Sequence, residues 1–332
     1  MSDNSKIEWT NATWNVITGC SVVSAGCKHC YAQTLAGTRL RNHPSRVGLT
    51  QETAAGPVWT GEVRFNEDVL KQPLHWKRGR LIFPCAHGDL FHESVPDAWI
   101  ERVYAVMAMT PQHTYQVVTK RPERMLNLYM KWSLVNGSGI ADAAFAMKGT
   151  IGKDGERLWP PKNWPKWPLP NVWLGVSAEH QKAANERIHN LLRTPAPVHF
   201  VSLEPLLDSI DIGEACAKLR WRDPDGIERC GLPRNLDWVI VGGESGTNAR
   251  PMHPEWAMSL RDQCRRAGIR YFFKQWGSWV PMMGHAQGVE TKPVKHIFPD
   301  GTIMGLAKTK KAAGRLLEGR VWDEMPDHVT VQ

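Results

Sequence analysis

The stretch CSVVSAGCKHC, residues 20–30, places three cysteines in one short segment with the spacing C-x6-C-x2-C. Thiolate sulfur is a soft ligand that suits iron, and a loop can fold its cysteines around one compact cluster. A [4Fe–4S] cluster has four irons, so three cysteines leave one iron without a protein ligand. We therefore predict that Cys20, Cys27 and Cys30 hold an iron–sulfur cluster whose open iron is a reaction site.

Two other uses of these cysteines stay open. The pair Cys27-x-x-Cys30 matches half of a zinc site, which His29 or Cys85 would have to complete because the sequence has no second C-x2-C pair. The same pair would form a redox disulfide if it lay at a strand–helix junction, but Cys20 would then have no role.

Length and composition are typical of a globular protein of the cytoplasm. The chain has 332 residues and 42% hydrophobic content, which suffices for a substantial core. No run approaches eighteen apolar residues, and no N-terminal stretch has the pattern of a signal peptide. Seven cysteines are an odd number, which argues against a complete disulfide framework. We expect no membrane partner.

The balance of charge and aromatic residues favours a nucleic-acid partner. The formal net charge is +8, and the sequence contains 16 tryptophans. Basic charge attracts the phosphate backbone, and aromatic side chains stack on single strands or extruded bases. Some of the tryptophans must instead belong to the core, since large aromatic side chains bury well.

Short apolar runs alternate with helix-like stretches, which predicts an α/β fold with a parallel sheet. The strand-like runs are 14–18, 80–84, 114–119, 172–176, 198–201, 238–241 and 270–273, and the helix-like stretches lie near 31–42, 96–109, 180–193 and 254–267. We expect a barrel over residues 1–277, with insertions at about 131–171 and 208–236, and a C-terminal extension over 278–332. The first insertion is rich in Pro, Gly and Trp, and we expect a nucleic-acid wall or a lid packed onto the barrel.

Polar residues follow the ends of the strand-like runs. The carboxyl ends of parallel strands meet at one edge of a β/α barrel, where active sites are built. Three cations at these ends, Lys120, Arg121 and Lys274, suit an anionic group such as a carboxylate or a phosphate. The other candidate site residues at strand ends are Asp89, Ser177, Glu179, Glu204, Gly242, Gly243 and Glu244.

The cysteine segment and its flanks resemble a phage and prophage family of radical S-adenosylmethionine (SAM) proteins. The resemblance lies in IEWT (7–10), ATWN (12–15), TGC (18–20), CKHCYA (27–32), DLFH (89–92), TKRP (119–122), WLGVS (173–177), GGESG (242–246) and FKQWG (273–277). It covers most of the chain. The usual spacing in the superfamily is C-x3-C-x2-C, and this segment has three extra residues between its first two cysteines.

The resemblance implies a partial or full (β/α)6 barrel and a [4Fe–4S] cluster whose open iron chelates SAM. It also implies an enzyme that forms a 5′-deoxyadenosyl radical, with an electron donor such as flavodoxin. The SAM contacts that it suggests are His29, Tyr31, Asp89, Ser177, Glu179, Glu204, Gly242, Gly243 and Glu244. In the superfamily a GGE element follows the second strand, whereas here Gly242-Gly243-Glu244 follows a late one.

The expected substrate also comes from the resemblance. Phages decorate DNA bases, and radical SAM isomerases occur in the pathways that build amino-acid adducts on thymidine. An isomerase acting on such a thymidine in DNA is therefore expected. The alternatives are a radical SAM enzyme acting on tRNA or a peptide, and a non-enzymatic nucleic-acid-binding protein with a structural metal. A second cluster on Cys216, Cys230 and Cys264 also stays open.

Overall fold

The centre of the fold is one parallel sheet of seven strands. The structure is a computed structural model that describes residues 5–148, 164–217, 220–222, 228–230, 236–282 and 289–327. The strands are β1 (Ala12–Trp14), β2 (Leu81–Pro84), β3 (Thr114–Thr119), β4 (Val172–Ser177), β5 (His199–Leu203), β6 (Trp238–Gly242) and β7 (Arg270–Gln275).

The strands lie side by side in the order in which they occur in the chain, from β1 to β7. Parallel crossovers are right-handed, so a strand order that never reverses places the crossover helices on one face of the sheet. Within the described residues, β1 and β7 are the two edges of this sheet and do not pair with each other. The predicted α/β barrel is confirmed, and it is a partial barrel rather than a closed one.

Seven helices accompany the sheet in the described ranges, besides single turns. They are α1 (Tyr31–Gly37), α2 (Asp97–Ala108), α3 (Pro122–Leu134), α4 (Ser138–Lys148), α5 (Gln181–Arg193), α6 (Ile212–Ala217) and α7 (Pro254–Ala267). The single turns are Ala25–Cys27, Glu67–Leu70, Gln72–His75 and Lys310–Ala313. None of the helices that the structure describes has the length and apolar character needed to cross a bilayer.

The first part of the stretch predicted as an insertion, 131–171, is helical. Residues 131–134 complete α3, and α4 buries Ile140 and Ala144, an i, i+4 pair that supplies one apolar stripe. Residues 149–163 lie outside the described ranges. In the basic stretch near the C-terminus, residues 308–317, only Lys310–Ala313 is helical.

Trp167 packs onto the helical layer and does not line the cavity described below. Its ring lies 4.8 Å from that of Tyr129 and 5.4 Å from that of Trp132, and its indole N–H donates to Ser133 Oγ at 3.0 Å. These contacts correspond to the predicted alternative in which this segment packs onto the barrel.

The inner face of the sheet carries an aromatic cluster that is separate from the core between sheet and helices. Trp238 lies at its centre, with ring centroids 5.6 Å from Phe200, 5.9 Å from Phe272 and 6.3 Å from Trp173. Trp9, from the N-terminal segment, meets Trp238 edge-on at 6.2 Å. These side chains fill the concave face, and open space remains toward the carboxyl ends of the strands.

The remaining segments cover the rim and the edge of the sheet. Strands Trp279–Pro281, Ile303–Ala307 and Thr291–Ile297 form a small antiparallel sheet in that order. The chain then returns beside β7, where the Phe273 N–H donates to the Trp322 carbonyl at 2.8 Å. This contact covers part of an edge strand that would otherwise be open to pairing. The insertion at 208–236 contains α6 and a hairpin of Arg220–Arg222 and Glu228–Cys230.

We predict that Gly175→Ala destabilises the fold, because a Cβ at this position would lie 2.5 Å from the ring of Phe200. Phe200 is held in the inner aromatic cluster, so the expected loss in the free energy of unfolding is about 1–3 kcal/mol. Urea denaturation followed by circular dichroism measures it. Gly213→Ala in α6 is the control, because its Cβ would meet only the end of the Asp211 side chain. Equal stability of the two variants would contradict the proposed packing.

Candidate functional site

A cavity of about 450 Å³ lies at the carboxyl ends of the strands and is lined on one side by the cysteine loop, residues 20–30. Ile7, Trp9, Phe83 and Val118 supply its apolar floor. The predicted site residues that line it are Cys20, Cys27, His29, Cys30, Tyr31, Asp89, Lys120, Arg121, Ser177, Glu204, Gly243, Glu244 and Lys274. The structure thus brings most of the predicted site residues together around one space.

Glu179, predicted as a ligand contact, does not line this cavity. Its side chain is fully buried, and its Oε2 accepts a hydrogen bond from Arg187 Nη1 at 3.1 Å. A Cβ on Gly26 would lie 3.0 Å from the same oxygen, so the carboxylate sits directly behind the cysteine loop. Glu179 therefore packs behind the cysteine loop at Gly26 and supports it.

The charge of Glu179 is maintained by its neighbours. Burial alone would raise the pKa of this carboxyl, but the contact with Ser24 and the charges of Arg187 and Lys120 outweigh it. The pKa consequently lies below its ordinary value. At neutral pH, Glu179 is an anion compensated mainly by Arg187.

Asp89 has no free acceptor site for a ligand. Oδ1 accepts from Thr119 Oγ1 at 2.7 Å and from the Phe91 N–H at 3.0 Å, and Oδ2 accepts from the Lys120 N–H and Arg121 Nη1, both at 3.0 Å. A carboxylate offers about four acceptor positions, and all are used here. The role of SAM contact, which the resemblance suggested for Asp89, does not agree with this saturation.

Arg121, predicted to bind an anionic substrate group, instead connects Asp89 to the cysteine loop. Its Nη1 lies 3.6 Å from Cys20 Sγ, its Nη2 donates to Ser21 Oγ at 2.8 Å, and its Nε donates to Glu93 at 2.8 Å. Burial would lower the pKa of Arg121, but the charge of Asp89 outweighs it and holds the pKa above the ordinary value. Arg121 is only 6% exposed, and its guanidinium has little capacity left for substrate.

Glu244 is likewise paired rather than free. Arg250 donates to Oε2 from its backbone N–H at 2.8 Å and from Nε at 2.9 Å, and to Oε1 from Nη2 at 2.5 Å. The same Nη2 donates to the Ala25 carbonyl at 3.0 Å, inside the cysteine loop. Arg250 was not predicted from the sequence, because a partner six residues away in irregular structure has no recognisable spacing.

Three arginine–carboxylate pairs therefore surround the cysteine loop, namely Asp89–Arg121, Glu179–Arg187 and Glu244–Arg250. Their carboxylates follow β2, β4 and β6, so alternate strands of the sheet each supply one support. Each pair reaches a different part of the loop, at Cys20–Ser21, Gly26 and Ala25.

Lys274 and Glu204 face the cavity as a pair. Lys274 Nζ lies 2.7 Å from Glu204 Oε1, and Gln275 Nε2 approaches the same oxygen at 3.5 Å. A Cβ on Gly242 would lie 2.9 Å from this carboxylate oxygen, so Gly242 makes room for Glu204 and does not itself line the cavity. Gly243 lines the cavity and allows close packing, since a Cβ there would lie 2.0 Å from the Trp276 carbonyl oxygen.

Lys120 and Ser177 form the remaining polar contact of the wall. Lys120 Nζ donates to Ser177 Oγ at 2.7 Å, and Ser177 Oγ lies 3.4 Å from the Glu204 carbonyl oxygen. On the other side of the cavity, Tyr31 donates its hydroxyl to the Ala86 carbonyl at 2.6 Å. The ring of Tyr31 is thereby held as a wall beside His29.

The three thiols of the loop, Cys20, Cys27 and Cys30, all line the cavity. Three cysteine thiolates are the donor set that a [4Fe–4S] cluster takes from a protein when one of its irons is left open. By the chemistry of the donor set, the residues present fit such a cluster. Among the described residues, no three Cys, His, Asp or Glu side chains are gathered closely enough to hold one metal ion together.

Burial favours the protonated form of two thiols in this loop, Cys20 and Cys30. Burial raises the pKa of Cys20 to about 12, with a further contribution from Asp89, and burial also raises the pKa of Cys30. A metal would displace these protons, as it does at other thiolate sites.

Three further cysteines are buried among the described residues. Cys85 directly follows β2, lines the cavity and adopts a left-handed backbone conformation with φ of 57°. Cys216 and Cys264 lie in the main core, and no metal-binding group includes them among the described residues. The side chain of Cys230 lies outside the described part of the chain.

The sequence matches the family described as a protein of unknown function, DUF5131, over residues 4–326, and the chain belongs to that family. No curated protein matches it. Among solved structures, a tyrosine-to-phenylalanine mutant of spore photoproduct lyase is similar at 9% identity, with a TM-score of 0.36, over 96% of this chain and 77% of that chain. So weak a likeness carries no functional argument.

We predict that Arg250→Gln loosens the cysteine loop while leaving the sheet intact. The change removes charge-assisted hydrogen bonds to Glu244 and Ala25, each of which stabilises by about 1.5–3 kcal/mol. Amide hydrogen exchange over residues 24–27 should become at least about tenfold faster. Arg102→Gln, which breaks an ion pair with Glu67 away from the loop, is the matched control. Unchanged exchange in Arg250→Gln would refute the supporting role.

We predict that Glu179 contributes stability that is lost in acid. Its folded-state pKa is lowered, so the contribution is complete above the ordinary value of 4.5 and disappears as the pH falls through the folded pKa. At pH 7, Glu179→Gln should lower the free energy of unfolding by about 3 kcal/mol, because Arg187 loses its buried partner. The difference between wild type and variant should shrink below pH 4.5. A difference that is constant or larger in acid would show that the charge is not responsible.

Proposed function

We propose that the protein is a radical SAM enzyme that isomerises an amino-acid-decorated thymidine in phage DNA. One observation carries the radical SAM part. Three thiols from an eleven-residue loop line the same cavity as the polar side chains at the carboxyl ends of the parallel strands. A structural metal site would not require those side chains to surround an enclosed space next to the thiols.

Cys20, Cys27 and Cys30 would hold the [4Fe–4S] cluster, and the open iron would take SAM. When bound and reduced, this group supplies an electron to SAM and thereby a 5′-deoxyadenosyl radical. The protein supplies binding, orientation and protection from water. The apolar floor around Trp9, Phe83 and Val118 serves the last purpose, because water and stray hydrogen donors quench radicals.

The roles of the strand-end residues follow from their contacts. Arg121, Arg187 and Arg250 position the cysteine loop through their carboxylate partners. Ser177, Glu204, Gly243 and Lys274 remain as contacts for SAM or substrate. His29 and Tyr31 lie on the loop side of the cavity, where an adenine ring would stack.

The proposed net reaction conserves all atoms of a glycine attached through its nitrogen to the thymine methylene. The bond from the methylene to nitrogen is exchanged for a bond to the α-carbon, and the hydrogen of that carbon ends on nitrogen. The substrate base would have to leave the duplex to enter the cavity. The exposed Lys28 of the cysteine loop, within a chain of net charge +8, suits the flanking phosphates. Flavodoxin is a suitable class of electron donor.

We predict that anaerobically reconstituted protein binds about four irons per chain. Cys20→Ala, Cys27→Ala and Cys30→Ala should each abolish cluster binding, since each removes one ligand. Iron and sulfide analysis, with absorbance near 400 nm as roughly expected for such clusters, measures the content. Cys230→Ala is the control and should retain full iron. Wild-type protein that carries only stoichiometric zinc would exclude the cluster.

The substrate is tested by incubating the reconstituted protein with SAM, a reductant and DNA that contains glycinyl-thymidine. Digestion to nucleosides and mass spectrometry should reveal a product of unchanged mass and shifted retention. The same assay with tRNA and with peptides tests the alternative substrates. SAM cleavage that depends on tRNA or a peptide, with none on modified DNA, would overturn the DNA assignment.

A further inference from the structure

We propose that Lys120 and Ser177 form a site for one carboxylate group of the substrate, an inference that rests on the proposed function. The lysine and arginine side chains that line the cavity, among the described residues, are Lys120, Arg121, Lys274 and Lys310. Arg121 is matched by Asp89 and Glu93, and Lys274 is matched by Glu204. Lys310 is exposed at the rim.

Lys120 differs from Arg121 and Lys274 because its ammonium has no carboxylate partner among the described residues, and it differs from Lys310 because it lies inside the cavity and not at the exposed rim. Its ammonium donates to the neutral Ser177 hydroxyl, at 2.7 Å. The carboxylate of Glu179, on which the charge of Lys120 also acts, is already paired with Arg187. An ammonium has three N–H donors, so two remain for a ligand in the cavity.

Ser177 fixes the direction of this ammonium. Its hydroxyl oxygen accepts from Lys120 and lies 3.4 Å from the Glu204 carbonyl oxygen, to which its proton is directed. The backbone of Lys120 is also held, since its N–H donates to Asp89. A flexible side chain is thereby oriented at both ends, which lowers the entropy lost when it binds an anion.

The chemistry of the site favours a carboxylate over a phosphate. One unmatched ammonium carries one positive charge, which suits a monoanion, whereas a phosphate dianion is usually bound by several cations or backbone N–H groups. Two carboxylates are available in the proposed reaction, one on SAM and one on the amino-acid adduct. The SAM carboxylate would be engaged by the open iron, so we assign Lys120 to the substrate carboxylate.

The experiment measures binding to the reconstituted protein without reductant. The probes are N-acetylglycine and its neutral amide, N-acetylglycinamide, observed by saturation-transfer NMR. Wild type should bind the acid at least about tenfold more tightly than the amide, as a charge-assisted hydrogen bond implies. Lys120→Met should abolish this preference, and Lys120→Arg should retain part of it because the charge remains.

Lys310→Met is the matched control, since it removes the same charge from the rim and should leave the preference intact. Circular dichroism and thermal unfolding show whether each variant is folded. Wild type that does not distinguish acid from amide, or a preference that survives in folded Lys120→Met, would overturn the inference. An equal loss of the preference for the acid in Lys310→Met would also overturn the inference. The anion would then be attracted by the overall positive charge of the cavity and not by a specific contact with Lys120.

Binding of SAM is measured with the same variants. If Lys120→Met weakens SAM binding about tenfold or more and leaves the preference for N-acetylglycine unchanged, the site belongs to SAM and the assignment to substrate is wrong. No turnover is needed for either measurement. A protein that shows the Lys120-dependent preference but cleaves no SAM would disprove the proposed function alone, and one that cleaves SAM without the preference would disprove the carboxylate site alone.

Discussion

The structure depends on three arginine–carboxylate pairs that hold the cysteine loop over the open end of the sheet. Asp89–Arg121, Glu179–Arg187 and Glu244–Arg250 are largely buried, and burying charges is unfavourable unless each is closely paired. Such pairs are seldom an efficient source of stability compared with apolar packing. Their value here is positional, since each joins a strand end to a different part of the loop and so determines where the three thiols face.

The sheet prepares the place where this loop is held. Because its strands follow one another without reversal, the helices cover the convex face and the concave face is left to side chains. The aromatic cluster around Trp238 fills the amino-terminal half of that face, which leaves the cavity at the carboxyl ends. The aromatic packing at the amino-terminal half of the concave face and the cavity at the carboxyl ends of the strands therefore both follow from this strand order.

Much of the fold was predictable from the sequence because the information was local. Apolar runs such as 114–119 predicted six of the seven strands to within two residues, whereas the first strand was predicted at 14–18 and lies at Ala12–Trp14. The spacing of Cys20, Cys27 and Cys30 identified the loop. The partners of the strand-end charges were not predictable. Glu179, Asp89 and Glu244 all read as ligand contacts, but the arginines that occupy them come from positions with no regular spacing. The helix at the start of the 131–171 insertion was not predicted either. The glycines there are typical of a loop, and the apolar pair Ile140 and Ala144 was therefore not recognised as the buried stripe of a helix.

The central claim is that the three supported thiols hold a cluster with one open iron. The most direct test is the electron paramagnetic resonance spectrum of the anaerobically reconstituted and reduced protein, recorded before and after addition of SAM. We predict a [4Fe–4S]⁺ signal whose g values change when SAM is added, because SAM would coordinate the iron that lacks a cysteine. A protein without such a signal, or with a signal that SAM does not alter, would contradict the account.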